Sequence, residues 1–135
     1  IIATSFVDSL PTPEAKAFVE KWHKYAGDDE YIGEYGEYGY RGTMIWAEAV
    51  KKANSAEPDD VIAALDGVSF NGGGGKYTVD GKTNHTTMDI HIVRGNANQS
   101  FDVIKSFSQR PPKDTQLVCD LVANPDDTTQ YEPKI

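Results

Sequence analysis

The chain has 135 residues, of which 39% are hydrophobic and 25% charged, the size and composition of one globular domain. Its 13 basic and 21 acidic residues give a formal net charge of -8, which would repel a phosphate backbone and argues against nucleic acid as a partner. The apolar runs are too short to span a bilayer, and the single cysteine, Cys119, excludes an internal disulfide and a Cys-type zinc site.

The first 27 residues predict a strand and a helix. Residues 1–7 are mostly apolar, which is typical of a short buried strand. Thr12-Pro13-Glu14 is a helix start, because threonine caps well, proline suits the first helical position and an acid suits the positive end of the helix. Gly27 is the candidate C-cap.

Two more helices are predicted before the sequence pattern changes. Residues 28–36 form a polar and aromatic loop, and a second helix is predicted from about Glu37 to Asn54. Its predicted inner face consists of Tyr40, Met44, Ala47 and Val50. A third, short helix begins at Pro58 and ends before Gly67.

The rest of the chain predicts short strands and then a tail. Strands are predicted over residues 68–70, 76–79, 87–93 and 101–107, with a flexible glycine turn over 71–75 and an antiparallel arrangement of the last two strands. Met88, Ile90 and Ile92 alternate with Asp89 and His91, which predicts that His91 lies on the polar face. Residues 109–135 predict an extended, Pro-containing tail. Four of its apolar side chains could pack against the domain: Leu117, Val118, Leu121 and Val122.

The segment from Tyr31 to Tyr40 has the highest concentration of side chains that could bind a ligand. It holds four tyrosines, two glutamates and three glycines within ten residues. Tyrosine offers an apolar body with a polar tip, and glutamate accepts hydrogen bonds from N–H groups. The segment fits recognition of a small nitrogen-bearing ligand, and it equally fits an aromatic loop packed against its own domain.

Two other motifs favour ordinary structural interpretations. The glycine run before Lys76 lacks the Ser or Thr and the following helix of a phosphate-binding loop, so a hairpin turn is favoured. His23, His85 and His91 lack the spacing of a metal site, so hydrogen-bonded or solvated histidines are favoured. No metal and no cofactor is expected.

A small hydrolase using Glu34, Glu37 and His85 is the distant enzymatic alternative. Two glutamates three residues apart on one segment do not have the opposed geometry of a glycosidase pair. No Gly-x-Ser-x-Gly motif is present, and Cys119 has no histidine near it in sequence. The sequence therefore indicates a protein that is not an enzyme.

Four blocks, in order, resemble the type 1 periplasmic solute-binding proteins. They are residues 6–19 (FVDSLPTPEAKAFV), 37–53 (EYGYRGTMIWAEAVKKA), 60–67 (DVIAALDG) and 75–80 (GKYTVD) with the following Asn84-His85. The Asn84-His85 pair and the spacing from Glu37 to Tyr40 resemble the branch that binds urea and short-chain amides. Tyr38 and Gly39 stand where that branch usually has two alanines, which points to a bulkier or more polar solute than urea.

The resemblance implies an α/β fold, the second-lobe portion of a type 1 periplasmic-binding-protein fold. It is expected to be three-layer-like, with short antiparallel strands near the C-terminus. Residues 1–108 would form the C-terminal lobe portion and residues 109–135 the tail. Because the chain opens at Ile1 without an initiator Met, we expect a leader or a further domain before it, and the resemblance implies a missing N-terminal lobe as its partner.

The resemblance also implies a function and a site. The chain would belong to the substrate-binding component of an ABC importer, periplasmic or extracellular and membrane-anchored, which delivers urea, an amide or an amino acid to a membrane permease. Lobe closure would enclose the solute. Gly36, Glu37 and Tyr38 would lie nearest the ligand, with Tyr35 and Glu34 beside them. A cytoplasmic amide sensor of the same fold, controlling a regulator, is the alternative.

Overall fold

The computed structural model of the protein describes residues 1–112 and 120–130. The elements in chain order are β1 (Ile2–Thr4), α1 (Pro13–Ala26), α2 (Glu34–Ala53), α3 (Pro58–Ala64), β2 (Ser69–Gly72), β3 (Gly75–Asp80), β4 (His85–Gly95) and β5 (Phe101–Arg110). This is the mixed α/β architecture that the sequence predicts, with the helices before most of the strands. No helix among the described residues is long and apolar enough to cross a membrane.

The long strand β4 organises an open antiparallel sheet. Its first residues, His85 to Thr87, pair with β3, and β3 in turn pairs with β2. Further along β4, residues 91–93 pair with β1, and the opposite edge of β4 pairs with β5. All four pairings are antiparallel, so the predicted antiparallel arrangement of the last two strands is confirmed.

The helix ends predicted from local chemistry are confirmed for α1. The Thr12 side chain accepts a hydrogen bond from the Ala15 N–H at 3.2 Å, and Pro13 occupies the first helical position. Gly27 is the C-cap, with a positive φ of 121°, a conformation that glycine adopts without strain. Its N–H bonds to the His23 carbonyl oxygen and so satisfies one of the exposed acceptors of the last turn.

Helix α2 begins three residues earlier than predicted. Glu34, Tyr35 and Gly36 are helical, and Gly33 caps them in an extended conformation. Glycines lower helix propensity, which favoured a loop in the sequence, but two glutamates in the first turn interact favourably with the positive end of the helix. The tyrosine-rich segment is therefore mostly the first two turns of a helix.

Two clusters of buried side chains form the core. The larger joins the segment after β1 with α1 and β4, and its buried members are Phe6, Val7, Leu10, Ala15, Phe18, Ile32 and Val93. The smaller joins α2 and α3 through Ala49, Val61 and Val68. The helices accompany an open antiparallel sheet, which is the mixed α/β fold that the resemblance implies.

The orientation predicted for β4 is wrong. His91 and Val93 face the core and are buried, whereas Ile90 and Ile92 lie on the other face and are half-buried. The alternation has the predicted period. The residues paired with His91 on the two neighbouring strands are Thr4 and Ser106, so His91 faces the core beside other polar side chains. Alternation alone shows that a strand has two faces and not which of them meets the helices.

The glycine turn is a tight hairpin between β2 and β3, as the sequence favours, and it is packed inside the protein. Gly72, Gly73 and Gly74 are buried. A Cβ atom on Gly73 would lie 2.8 Å from the Phe18 ring, and one on Gly74 would lie 2.3 Å from the Ser5 carbonyl oxygen. Glycine is required because other parts of the chain pack directly on this turn.

Strand β5 continues to Arg110, so Gln109 and Arg110 belong to the sheet and not to the predicted tail. Of the four apolar tail residues, Leu121 and Val122 are exposed. Leu117, Val118 and Cys119 lie outside the described residues.

Candidate functional site

Helical spacing gathers polar side chains at the start of α2. Glu34, Tyr38 and Arg41 are separated by four and three residues and therefore share one face of the helix. The segment that follows β1 brings Ser5 against this face. These four residues are called the Glu34 cluster below.

Glu34 is held by two donors from one residue. The Ser5 backbone N–H donates to Glu34 Oε1 at 2.7 Å, and the Ser5 hydroxyl lies 3.2 Å from the same oxygen. Partial burial opposes ionisation of Glu34, but hydrogen bonds from Tyr38, Ser5 and Thr4 outweigh it and lower the pKa of Glu34. The cluster therefore presents a half-buried carboxylate that is ionised at neutral pH.

Arg41 lies between two aromatic rings. Its guanidinium carbon is 4.0 Å from the centroid of the Tyr38 ring and 4.3 Å from that of Tyr77. Arg41 Nη1 donates to the Ser5 hydroxyl at 3.0 Å and to Glu37 Oε2 at 3.3 Å. One nitrogen of Arg41 therefore connects the Glu34 cluster to a buried network behind it.

Glu37 occupies the centre of that buried network and has no exposed surface. Its Oε1 accepts a hydrogen bond from the Tyr77 hydroxyl at 3.0 Å. Burial raises the pKa of Glu37, although Arg41, Tyr77 and the backbone N–H groups of Gly73 and Gly74 oppose the shift. The carboxylate that the resemblance implies to lie nearest a ligand is thus enclosed by its own domain and joins α2 to the β2–β3 hairpin.

The other predicted site residues lie at the surface. Tyr35 is 87% exposed, and its ring meets the half-buried Tyr38 ring edge-on at a centroid distance of 5.9 Å. Gly36 is exposed, and a Cβ atom on it would lie 2.3 Å from Ile32 Cδ1, so the residue lets Ile32 pack against the helix start. The structure brings Glu34, Tyr35 and Tyr38 together on an accessible surface and separates Glu37 from them by burial.

Three residues of this arrangement were missed in the sequence: Ser5, Arg41 and Tyr77. The sequence could have indicated Arg41, because it follows Glu37 by four residues and Glu34 by seven and therefore lies on the same face of a helix. Local spacing could not have indicated Ser5 or Tyr77, since Ser5 is 29 positions from Glu34 and Tyr77 is 40 positions from Glu37. Such contacts are set by the fold and not by local spacing.

The histidines do not join this site. His85 Nδ1 lies 2.6 Å from the Thr83 carbonyl oxygen, and His91 Nδ1 lies 2.8 Å from the Ser106 hydroxyl oxygen. His85 pairs with Asp80 at the far end of β3, roughly 10 Å of strand beyond Tyr77. Within the described residues, no group of three or more His, Cys, Asp or Glu side chains is placed to hold a metal ion. The hydrolase alternative gains no support from this placement.

The glycine run does not form a phosphate site. It joins two strands, and the N–H groups of Gly73 and Gly74 act on the carboxylate of Glu37 instead. Since Phe6 and Phe18 pack on the same turn, an anion has no room to approach it.

Solved structures of similar fold are solute-binding proteins. One, from an ABC transporter of Rhodopseudomonas palustris BisB5 in complex with 3,4-dihydroxybenzoic acid, is 24% identical, with a TM-score of 0.69 over 79% of this chain and 30% of that chain. Another is a leucine-, isoleucine-, valine-, threonine- and alanine-binding protein from Brucella ovis, 18% identical, with a TM-score of 0.67 over 82% of this chain and 32% of that chain. The chain thus spans about a third of the length of these relatives.

A curated relative is a limonene hydroxylase from Geobacillus stearothermophilus, 26% identical over 109 residues. That match covers 81% of this chain and only 20% of the relative, so no enzymatic activity is inferred from it for this chain. The model of the periplasmic binding protein family matches residues 1–100, about three quarters of the sequence. The chain therefore belongs to the periplasmic binding protein family.

Proposed function

We propose that this chain is part of the substrate-binding component of an ABC importer and binds a small nitrogen-containing solute such as urea, an amide or an amino acid. The solute would be bound between this lobe and an N-terminal lobe and passed to a membrane permease, with no chemical step. The location would be periplasmic, or extracellular with a membrane anchor. The family match and the solute-binding proteins of similar fold support the receptor class.

The half-buried carboxylate of Glu34, held by Ser5 at the start of α2, is the observation that carries the choice of solute. Ser5 donates to it from the protein side and Tyr38 also hydrogen-bonds to it, but the residue remains half-buried, so a ligand can approach the carboxylate from solvent. A carboxylate accepts hydrogen bonds from amide or ammonium N–H groups and repels carboxylates. Glu34, rather than the enclosed Glu37, is therefore the proposed acceptor.

The tyrosines would form the walls of the site. Tyr35 and Tyr38 meet edge-on beside Glu34 and present aromatic surface with polar tips. An exposed ring such as that of Tyr35 is stabilised when a second lobe covers it, because burying apolar surface is favourable. Gly36 lies between Tyr35 and Tyr38 in the helix, and its backbone is exposed. A solute that interacts with both lobes would favour the closed state through its differential affinity.

A thermal-shift panel on the complete gene product tests the proposal. The panel contains urea, acetamide, leucine and 4-hydroxybenzoate. A nitrogen-bearing solute at one hundred times its Kd would stabilise the protein by about 2.7 kcal/mol, a clear rise in Tm. Glu34→Gln should abolish the rise, whereas Glu48→Gln, which alters an exposed Lys51 pair on the same helix, should retain it.

Two results would contradict the proposal. A rise in Tm with 4-hydroxybenzoate alone would assign the site to aromatic acids, the class of ligand bound in the Rhodopseudomonas palustris BisB5 structure. No rise with any member of the panel would remove the support for a receptor of small polar solutes.

A further inference from the structure

Stacking contacts and hydrogen bonds hold the side chain of Arg41 in one position. Its side chain is 12% exposed, and its guanidinium is stacked between the rings of Tyr38 and Tyr77. Nη1 carries two hydrogens, and both are used, one toward the Ser5 hydroxyl and one toward Glu37 Oε2. The residue therefore contacts four side chains from three separate segments of the chain.

We propose that Arg41 is a positioning residue of the ligand site, which fixes the Ser5 hydroxyl and the Tyr38 ring and thereby the direction in which Glu34 presents its carboxylate. The inference rests on the proposed function and extends it to a residue that does not itself contact the solute. Arg41 acts through the Ser5 hydroxyl, which meets both Arg41 Nη1 and Glu34 Oε1.

The geometry requires arginine and not merely a positive charge. A planar guanidinium stacks on two rings at once and directs its N–H groups at fixed angles, whereas a lysine ammonium is a point charge on a flexible stem. Glu37 is enclosed on the other side by Tyr77, so Arg41 is held from behind by a rigid partner. Its position is therefore set before any ligand arrives, which is the condition for a preorganised site.

The same contacts bear on solute selectivity. Because Ser5 and Glu37 take both Nη1 hydrogens, that nitrogen has no donor left for an anionic solute. Glu34, in contrast, keeps a half-buried carboxylate beside the exposed Tyr35. Arg41 Nη1 thus supports the presentation of the Glu34 carboxylate and does not itself bind a carboxylate of the solute.

A carboxyl titration tests the positioning role without any ligand. The protein is labelled with 13C-glutamate, and the signal of Glu34 is identified by its loss in Glu34→Gln. In Arg41→Lys the positive charge stays, but the Ser5 hydroxyl loses its fixed donor, so its hydrogen bond to Glu34 weakens and the pKa of Glu34 rises. Arg41→Gln should raise it further, and Ser5→Ala should shift it in the same direction.

A destabilised control separates positioning from general loosening. Val61→Ala removes buried volume from the smaller core cluster, which contains no residue of the Glu34 cluster, and should lower Tm while leaving the Glu34 titration unchanged. If Arg41→Lys titrates like the wild-type protein, or if Val61→Ala shifts Glu34 as much as Arg41→Lys does, the positioning role is refuted.

The solute that raises Tm in the wild-type panel gives a second readout. Arg41→Lys should weaken its Kd at least tenfold by isothermal titration calorimetry, and Val61→Ala should leave Kd unchanged. Equal affinity in Arg41→Lys and the wild-type protein would overturn the inference. If the wild-type protein binds nothing in the panel, the proposed function fails, and the Glu34 titration still decides whether Arg41 positions the cluster.

Discussion

The hydroxyl of Tyr77 donates a hydrogen bond to Glu37 Oε1 at 3.0 Å, and both side chains are completely buried. The same hydroxyl accepts a hydrogen bond from the Gly74 N–H at 3.1 Å. A charged residue on the inner face of α2 is thus compatible with the core because the β2–β3 hairpin supplies its partners. This contact joins the start of α2 to the sheet and fixes the helix that carries Glu34 and Tyr38.

Tyr77→Phe should destabilise the protein by about 1–3 kcal/mol, the cost of leaving buried polar groups unsatisfied. The change removes one oxygen and leaves the Gly74 N–H and one oxygen of Glu37 without that partner. Urea unfolding followed by circular dichroism measures the loss. Tyr25→Phe, at a tyrosine that is 86% exposed, is the matched control and should leave the unfolding midpoint unchanged. Equal midpoints for the two variants would show that the Tyr77 hydroxyl contributes nothing.

Gly74→Ala should destabilise the protein, because its Cβ would lie 2.3 Å from the Ser5 carbonyl oxygen and the Tyr77 hydroxyl. Relief of such a clash requires the backbone to move, at a cost of roughly 1–3 kcal/mol for overpacking. Gly42→Ala is the opposite case, since nothing lies within 4 Å of its Cβ position inside α2. That change should stabilise the protein by about 0.5–1 kcal/mol.

The two glycine variants are compared by differential scanning calorimetry. Gly74→Ala is expected to melt below the wild-type protein and Gly42→Ala above it. A Tm for Gly74→Ala at or above the wild-type value would mean that the hairpin turn is not packed as closely as the structure shows.

Thr12→Ala should cost about 0.5–2 kcal/mol, because it removes the side-chain cap of α1. The Thr12 hydroxyl is the acceptor for the Ala15 N–H, which has no partner within the helix. Thr43→Ala provides the control: its hydroxyl bonds back to the Gly39 carbonyl oxygen on an exposed face, where alanine has the higher helix propensity. Denaturant titration should therefore show a loss of stability for Thr12→Ala and none for Thr43→Ala.

Local chemistry in the sequence predicted the ends of α1 and the period of β4. Thr12, Pro13 and Gly27 act through backbone geometry and hydrogen bonds of their immediate neighbours, so their effect can be inferred without a fold. The alternation in β4 likewise reflects the strand itself. These predictions needed no knowledge of distant residues.

The burial of Glu37 could not be predicted, because it depends on residues far away in the sequence. The predicted inner face of α2 relied on apolar residues such as Tyr40 and Met44, whereas its fully buried positions are Glu37 and Ala49. A glutamate is compatible with the core only when Tyr77, Arg41 and the glycine turn surround it. The same dependence explains why the candidate acceptor shifts from Glu37 to Glu34, one helical turn earlier.

His91 should make the protein lose stability as the pH falls below about 6.5, the ordinary pKa of histidine. Burial lowers the pKa of His91, although the charge of Asp89 opposes the shift. Its Nε2 is buried with no hydrogen-bond partner among the described residues, which makes a second proton costly. The unfolded chain therefore binds that proton more readily than the folded protein. Stability is fully present above the unfolded pKa and is lost as the pH falls toward the lowered folded value.

The change in Tm between pH 7.5 and 5.5 measures this effect, and His91→Gln should reduce the change because glutamine does not titrate. His85→Gln is the control, since it removes the histidine at the first position of β4 and should preserve the acid sensitivity of the wild-type protein. The raised pKa of Glu37 works in the opposite direction, because protonation of this carboxyl as the pH falls favours the folded protein. Glu37 is present in all three proteins, so its contribution cancels when their pH dependences are compared. If His91→Gln and the wild-type protein lose equal amounts of stability over this range, the buried His91 is not the source of the acid sensitivity.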